Sequence, residues 1–469
     1  MRKTILALNI GALAALAATT GLAQEKKGFA LEEVVVTAQK RAESTQDIPI
    51  SVQAFSSDAI DRLGANSLSD LSQAAPSLDI GGLGKGGSQQ WMGMRGVVDF
   101  ARNVGIDARM GVYIDGVFQG RSYSADVPLL GLESVELLRG PQGTLFGKNT
   151  ETGAISLNTK KPSEDFEAEV GAEYGRYEMV KTTGYVNGPL TDTLFASASG
   201  SYQQADGYYD NIFLNKDVGD YDTTAGRAQL RWLPTNKFDI RLSGDYTDKH
   251  NDQPLATNAS LEPYKTQQTF VPSGDISSWG TALTADMFLS GDYTATSITA
   301  FRHNEFKTIA DDDYTPAELV TVNFNEDSDQ YSQEFRLVSP VGEKYDWVTG
   351  VYYFYNDLSS ARTVALGETL IASLSPALRP FASAIAGYTE VPNKITAETY
   401  AAYMHGNYRF TPKVELTAGI RYTSEGKDLD EWSQISYPNN PTVAAGLEAA
   451  TGRPFTQSPG WLAPGRHQL

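Results

Sequence analysis

The chain has 469 residues, of which 57 are acidic and 38 basic, and its formal net charge is −19. It contains no cysteine, which excludes a disulfide scaffold, a thiolate metal site and a thiol nucleophile. The acidic balance argues against nucleic acid as a partner, because phosphate contacts need clustered Lys and Arg. The chain is too rich in hydrophobic residues, at 41%, to be disordered. Beyond its first residues it has no apolar stretch long enough for a helical membrane protein.

The first 23 residues predict a cleaved secretory signal. Arg2 and Lys3 form a basic start, residues 5–18 are apolar, and residues 21–23 form a small-x-small triplet that ends at a cleavage site near Ala23. The apolar run is too short to span a bilayer stably. An uncleaved N-terminal anchor is the alternative.

Residues 24–45 form a charged tail with one β-branched island, Glu-Val-Val-Val-Thr-Ala at residues 33–38. Such an island cannot bury much surface by itself. It is either the first strand of the next domain or a peptide that adds a strand to a sheet edge in a partner. The residues alone leave both alternatives open.

Residues 46–162 are expected to form a small α+β domain. Residues 48–52 alternate as a strand, and helices are predicted to begin at Ser57 and at Ser67. An Asp-Gly pair at residues 115–116 predicts a hairpin turn, and residues 132–139 predict a further strand.

Residues 163–469 repeat segments of about ten residues that alternate strictly between apolar and polar side chains, as in residues 194–202, 238–247 and 414–423. Ten tilted residues are what a β-strand needs to cross the hydrocarbon layer. Short turns are predicted at residues 188–192, 234–237, 290–292, 340–343 and 411–413, and long polar loops at residues 203–223, 251–277, 307–327 and 358–394. A soluble β-sandwich also alternates apolar and polar side chains, but nothing in that fold requires every second connection to be long. The pattern therefore favours an outer-membrane β-barrel over a soluble β-fold.

Several runs of residues resemble the TonB-dependent outer-membrane receptors, and the resemblance extends over essentially the whole chain after the signal. Residues 33–41 resemble the energy-coupling box of that family, with the box itself at Glu33, Val34, Val35, Val36, Thr37 and Ala38. Residues 94–97, 112–117 and above all 135–150 (VELLRGPQGTLFGKNT) are similar to its plug signature. The signature residues are Arg95, Gly96, Asp115, Gly116, Glu136, Arg139, Gly140, Pro141, Gly143, Gly147 and Asn149.

This resemblance implies a fold, partners and cargo. The fold is a transmembrane β-barrel with an N-terminal α+β plug domain at residues 46–162. TonB, energised by an inner-membrane complex, pairs with the box as an added strand and pulls. The cargo is a small-molecule ligand, most often a ferric siderophore, with oligosaccharide, haem or vitamin B12 as alternatives, and outer-membrane lipid surrounds the barrel. No cofactor is implied.

Two sets of side chains are expected at this receptor's contacts. Arg139 and Arg95, with Glu136, are predicted to hold the plug to the barrel wall through charge-assisted hydrogen bonds, and pairing within the plug is the alternative. Ligand contacts are predicted at the plug apex, where basic side chains suit an anionic iron chelate, although loop solvation explains them equally well. The apex candidates are Gln89, Gln90, Arg102, Asn103 and Arg109.

No pattern in the sequence supports an enzyme or a metal site. The four histidines are scattered without ligand spacing. Gly82-x-Gly84-x-x-Gly87 has the spacing of a dinucleotide loop, but no βαβ unit surrounds it, so a flexible glycine loop is expected. Residues 311–313, three consecutive Asp, could bind a hard cation and are expected instead to be a solvated acidic tip.

The C-terminal part conflicts with a complete barrel. About eleven strands are counted, the last near residues 414–425, whereas the family closes its barrel with about 22. Residues 428–469 are predicted to be another polar loop. An open sheet would leave backbone groups unpaired in lipid, so we expect a fragment or a prematurely terminated product that does not insert when expressed alone. A passive porin-like protein or a non-functional remnant is therefore the second function class.

Overall fold

The structure is a computed structural model. It describes residues 35–37, 39–41, 43–45, 48–82, 90–100, 105, 107–125, 127–252, 261–342, 344–411, 413–431, 434–436, 445, 449 and 467–468. The predicted signal and three residues of the predicted box, Glu33, Val34 and Ala38, lie outside these ranges.

Short strands and helices make up the chain up to residue 159. They are β1 (Val35–Val36), β2 (Glu43–Ser44), β3 (Val52–Ser56), α1 (Ser57–Leu63), α2 (Leu68–Leu71), a 3₁₀ turn (Ser72–Ala74), β4 (Leu78–Gly82), β5 (Gln90–Met94), β6 (Val97–Phe100), β7 (Met110–Ile114), β8 (Val117–Phe118), α3 (Ser122–Ala125), β9 (Leu132–Arg139) and β10 (Gly153–Thr159).

Residues 48–159, here called the plug, are organised around two small sheets. One sheet has the order β3-β9-β10-β7-β8, with β7 and β10 parallel, and the other has the order β4-β5-β6. The helices form where predicted: the Ser56 hydroxyl accepts a hydrogen bond from the Ala59 amide at the start of α1, and Gly64 ends that helix in the left-handed conformation. The two sheets and the helices share one apolar core that includes Ile60, Leu68, Leu71, Met94, Val135, Leu137, Ile155 and Leu157.

Long strands make up most of the chain after residue 166. The elements there are β11 (Glu167–Tyr174), β12 (Val180–Pro189), β13 (Leu194–Ala205), β14 (Tyr209–Asn211), β15 (Lys216–Val218), β16 (Tyr221–Thr235), β17 (Phe238–Asp252), β18 (Lys265–Thr266), β19 (Ser273–Phe288), β20 (Thr294–Asp311), β21 (Val320–Val338), β22 (Tyr345–Leu366), α4 (Glu368–Leu374), a 3₁₀ turn (Arg379–Phe381), α5 (Ala382–Ile385), β23 (Gly387–Thr411), β24 (Val414–Glu431), β25 (Gln434–Ser436) and β26 (His467–Gln468).

Eleven long strands, here called the wall, pair antiparallel in chain order from β11 to β24; β14, β15 and β18 form a separate small sheet. This confirms the predicted strand number and the short turns at every second connection. Among the described residues the sheet does not close, since β11 pairs only with β12, and β24 pairs with β23 and with the two residues of β26. The fold is thus an incomplete transmembrane β-barrel with an N-terminal plug.

The two faces of the wall have opposite chemistry. Side chains on the outer face are apolar and exposed, among them Leu230, Trp232, Leu242, Tyr246, Trp279, Leu283, Tyr331, Phe335, Val351, Tyr400, Met404, Leu416, Ile420 and Tyr422. Side chains on the inner face are polar and buried, among them Gln229, Asp239, Lys249, Arg302, Asn304, Glu326, Gln330, Glu334, Asp346 and Asn407. This arrangement inverts that of a soluble sandwich and is the one expected of a sheet that faces lipid on its outside.

No helix in the described part of the chain is both long and apolar enough to cross a bilayer.

The predicted long loops are partly wrong. Strand β20 continues to Asp311 and β21 begins at Val320, so the connection between them is residues 312–319. The connection of β22 to β23 is residues 367–386 and contains α4 and α5. These strands are 18 to 25 residues long, so their backbones stay paired well beyond the ten residues that cross a membrane. The polar residues there belong to strands and not to loops.

Candidate functional site: the contacts between plug and wall

A fully buried wall carboxylate binds two plug side chains. Arg121 donates from Nη2 to Glu326 Oε2 at 2.7 Å, and its Nε lies 2.6 Å from Oε1. The Tyr123 hydroxyl donates to the same Oε1 at 2.8 Å. The Glu326 side chain has no exposed surface, and Arg121 of the plug supplies the positive charge opposite it. Such charge-assisted bonds away from water are strong and directional.

The Tyr123 ring lies in an aromatic socket of the wall. It stacks on Phe306 with ring centroids 5.1 Å apart and packs with Ile276 and Phe324. The end of β8 and the residues after it are held by Gln330, which donates to the Phe118 carbonyl at 2.6 Å and accepts from the Gly120 amide at 3.1 Å. The plug is therefore held at this point by packing and by polar contacts together.

Residues 35–37, 39–41 and 43–45, here called the N-terminal segment, fold back against the plug. Val35 and Val36 pair antiparallel with Ser44 and Glu43. Val36 is 1% exposed and belongs to a cluster that contains plug and wall residues. The Thr37 amide donates to Glu136 Oε1 at 2.8 Å. The backbone of the described box residues is thus engaged within the molecule.

Lys40 crosses from this segment to the wall. Its ammonium donates to Glu334 Oε1 at 2.6 Å and lies 4.9 Å from the centre of the Tyr403 ring. The Tyr403 hydroxyl donates to the same carboxylate. Burial lowers the pKa of Lys40 to about 8. The attraction of Glu334 opposes this shift, and the nearby positive charge of Arg336 lowers the pKa by a smaller amount.

Arg41 makes a second contact with the wall. It donates from Nη1 to Asp346 Oδ1 at 2.7 Å and from Nη2 to the Trp347 carbonyl at 2.9 Å. The other oxygen of Asp346 accepts from Arg409 at 2.6 Å, so this buried carboxylate is shared between the segment and the wall itself. Two adjacent basic residues are therefore bound by two wall carboxylates.

The predicted Asp-Gly turn is present and touches the wall. Asp115 and Gly116 both have positive φ, at 49° and 85°, as a tight hairpin requires. The Asp115 carboxylate accepts from the Thr159 amide at 2.9 Å and lies 3.3 Å from Arg227 of β16. The turn thus joins the plug sheet to the first half of the wall.

Arg139 and Glu136 were expected to hold the plug to the wall, but their side-chain hydrogen bonds go to the plug and to the N-terminal segment. Arg139 donates to Ser77 Oγ at 2.7 Å and to Gln53, both in the plug. Glu136 accepts from Thr37 and from Asn158 Nδ2 at 2.7 Å. Burial raises the pKa of Glu136, and these hydrogen bonds oppose that shift. Arg95, with φ of 59°, is exposed at the turn after β5.

The glycine-rich end of the signature lies against β24 of the wall. Gly147 has φ of 90°, and a Cβ built on it would lie 2.7 Å from the Arg421 guanidinium. Lys148 lies 2.8 Å from Glu425 of β24, and the neighbouring Asp107 accepts from Lys427 at 2.6 Å. Although burial opposes its ionisation, Lys148 and Lys427 lower the pKa of Asp107.

Of the five predicted ligand contacts, Gln90 and Arg109 lie within the described residues. Gln89, Arg102 and Asn103 lie outside the described residues. Gln90 begins β5, opposite Gly82, and the Arg109 carbonyl accepts from the Thr152 amide and hydroxyl. The apex therefore stays a prediction.

The acidic triplet is not a solvated tip. Asp311 is 1% exposed and accepts from the Thr269 amide at 2.7 Å. Asp313 accepts from the Leu319 and Val320 amides at 3.0 and 2.9 Å and so closes the turn. Within the described ranges no three His, Asp or Glu side chains are arranged to hold a metal ion.

Sequence reasoning did not assign Lys40, Arg41, Arg121 or Tyr123 to the wall. Their partners are 203 to 305 residues away in the chain. The sequence did show which strand positions would face the plug, because polar side chains recur on one face of a strand. In β21, the buried inner-face residues include Glu326, Gln330 and Glu334.

Comparisons with known proteins agree with this architecture. Residues 44–154 match the family profile described as "TonB-dependent Receptor Plug Domain". The pesticin receptor of Yersinia pestis is 25% identical over 417 residues, which are 84% of this chain and 56% of that protein. The vitamin B12 transporter BtuB of Vibrio vulnificus is 23% identical over 245 residues, 52% of this chain and 39% of that protein.

A solved structure shares the fold. The ferric yersiniabactin uptake receptor FyuA from Yersinia pestis superposes with a TM-score of 0.71 at 21% sequence identity, over 82% of this chain and 58% of that chain. The chain thus spans somewhat more than half the length of this receptor and of the pesticin receptor.

Proposed function

Because the chain carries a TonB-dependent receptor plug domain, we propose that it serves in the outer membrane in TonB-coupled uptake of a scarce small-molecule ligand, with a ferric siderophore as the first candidate. The observation that carries this proposal is the attachment of the plug. Wall contacts from β12 to β24 hold it through ion pairs and hydrogen bonds in addition to apolar packing. A plug held by polar contacts can move under an applied force and return, because water can replace those contacts.

Cargo is proposed from chemistry and from the relatives together. The solved relative takes up ferric yersiniabactin, and one matched transporter carries vitamin B12. An iron chelate is the better candidate because the ferric yersiniabactin receptor matches 82% of this chain, whereas the vitamin B12 transporter matches 52%.

The test is uptake by cells with and without TonB. The native gene is expressed in a host that lacks its own siderophore and vitamin B12 receptors, and the protein is located by fractionation. Cells are offered ⁵⁵Fe on catecholate, hydroxamate and phenolate siderophores, and ⁵⁷Co-cyanocobalamin in parallel. We expect accumulation of one iron chelate in the tonB⁺ host alone. Equal uptake in both hosts would indicate a passive pore, and an absence of the protein from the outer membrane would indicate a remnant.

We also propose that the mature chain begins after Ala23 and that the described box residues belong to the peptide bound by TonB. N-terminal sequencing of the protein from outer membranes tests the first point. Cross-linking of Thr37→Cys to the purified periplasmic domain of TonB tests the second.

A further inference from the structure

A polar groove lies on the outer face of the wall, at the end where residues 312–319 and 367–386 connect the strands. It crosses β20, β21, β22 and β23 and has a volume of about 470 Å³. In β20 and β21 the alternate positions Phe306 and Glu326 contact the plug, so the groove is on the opposite side of these strands. The outer-face residues that line it are Glu305, Lys307, Asn325, Asp327, Ser359 and Lys394.

A row of aromatic rings marks where the hydrocarbon layer ends. Trp279, Phe301, Tyr331 and Tyr355 lie on four adjacent strands, with successive ring centroids 5.1, 4.8 and 6.4 Å apart. Such girdles flank the apolar band of a transmembrane barrel on both sides. Tyr345, exposed at the other end of β22, is ten residues before Tyr355. With about 3.3 Å per residue and a tilt of about 40°, the two rings are about 25 Å apart along the membrane normal, which is the height of that band.

The polar groove lies just beyond this row of rings. Asp327 is four residues from Tyr331 in β21, which corresponds to about 10 Å along the membrane normal. Outer-membrane barrels have short turns in the periplasm and longer connections outside, and the groove is at the end with the longer connections. In the outer membrane the groove is therefore beside the lipid headgroups of the outer leaflet.

A second groove lies on the same face of β21, β22 and β23, nearer the short turns, and is apolar. It has a volume of about 420 Å³ and is lined by Phe335, Val351, Tyr353, Tyr400 and Ala402. These side chains belong to the part of the wall between the two aromatic girdles, where acyl chains surround a barrel. A ligand with a polar head and an apolar chain can therefore occupy both grooves at once.

The side chains of the polar groove suit a phosphorylated sugar. Lys307 and Lys394 are more than half exposed and form ion pairs with Glu305 and with Asp357. Because an ammonium has three donors, each Lys can bind a phosphate oxygen as well. The carboxylates of Glu305 and Asp327 repel a bare phosphate, but they accept hydrogen bonds from sugar hydroxyls.

We propose that this outer surface binds a phosphorylated glycolipid of the outer leaflet. The phosphate pairs with Lys307 and Lys394, the sugar hydroxyls donate to Glu305 and Asp327, and the acyl chains lie in the apolar groove. This proposal rests on the proposed outer-membrane location. It requires neither TonB nor cargo, because the binding side chains are on the face of the wall away from the plug.

The test is lipid binding to the native protein in detergent, measured by native mass spectrometry. The probes are diphosphoryl lipid A and, as an anionic lipid without a sugar, phosphatidylglycerol. We expect lipid A to bind at least about tenfold more tightly than phosphatidylglycerol. In Lys307→Gln/Lys394→Gln the dissociation constant for lipid A should rise at least about tenfold, since both phosphate partners are lost. Equal affinity for the two lipids, or an unchanged dissociation constant in this double variant, would overturn the proposal.

The matched control is Lys237→Gln/Lys344→Gln. It removes two exposed lysines at the short turns, at the other end of the wall, and so causes the same loss of charge. Lipid A should bind this variant within about twofold of the unaltered protein. If both double variants weaken binding equally, lipid A responds to net charge and the site is refuted.

Ala402→Trp tests the apolar groove, because the indole would fill it. Lipid A should bind this variant at least about fivefold more weakly, whereas the deacylated, bisphosphorylated disaccharide should bind it as it binds the unaltered protein. Unchanged binding of lipid A would exclude the acyl chains from this groove and overturn the proposal. Lipid A binding without uptake of any ligand by cells would keep this site and overturn the proposed function, and TonB-dependent uptake without lipid A binding would do the reverse.

Discussion

Glu326 of the wall and Arg121 of the plug form a buried ion pair at 2.7 Å, and the Glu326 side chain has no exposed surface. Removing one partner of such a pair leaves an uncompensated charge in the interior. We expect Glu326→Gln to destabilise the plug by about 3–5 kcal/mol. Urea unfolding in detergent, followed by limited proteolysis of the plug, measures the loss.

Glu305→Gln is the control for that change, because Glu305 pairs with Lys307 on the exposed face of β20. Exposed pairs contribute little, so its unfolding curve should match that of the unaltered protein. If the two variants unfold alike, the Arg121–Glu326 contact does not hold the plug.

Docking of the N-terminal segment should depend on pH through Lys40, whose pKa burial lowers to about 8 from 10.5. Between these values the released segment binds more protons than the docked one, so docking should strengthen as pH rises from about 8 toward 10.5. The gain is at most about 3 kcal/mol. Below about pH 8 both states are protonated, and the full cost of burying the charge remains.

Hydrogen exchange at residues 35–44 between pH 7 and 10.5, corrected for the intrinsic rate, measures this effect. Lys40→Met has no group to titrate there, so its protection should not change with pH. A slope that persists in Lys40→Met would assign the effect to another group.

Gly147 should tolerate no side chain. Its φ of 90° disfavours any L-residue, and a Cβ would meet the Arg421 guanidinium at 2.7 Å. We expect Gly147→Ala to cost about 1–3 kcal/mol, measured by thermal unfolding in detergent. Gly184→Ala is the control, since nothing lies within 4 Å of a Cβ there and its φ is not positive. Equal melting temperatures for the two variants would refute a strained turn at Gly147.

Deletion of residues 33–38 should separate uptake from binding. Without the box no strand can be added to TonB, so uptake should be lost, while binding of ⁵⁵Fe-siderophore at the cell surface should remain. Loss of binding as well would argue against a coupling role for these residues.

The fold class could be read from local pattern. Alternation of side chains in segments such as residues 238–247 has a period of two that any strand must obey, so it predicted both the strands and their lipid-facing side. The Asp115-Gly116 turn was predicted for an equally local reason, since it depends on the φ values that Asp and Gly accept. Strand ends were less certain, as with Asp311, because pairing continues wherever a neighbouring strand is present.

The contacts that hold the plug could not be read in this way. Arg139 and Glu136 carry the family signature, yet their hydrogen bonds stay within the plug and the N-terminal segment, whereas Lys40 binds Glu334, 294 residues later. Local sequence determines the conformation of each strand and turn, because those energies arise between near neighbours. Which charges meet across the interface depends on how the wall is placed around the plug, and the low dielectric of that interface gives each pairing its energy.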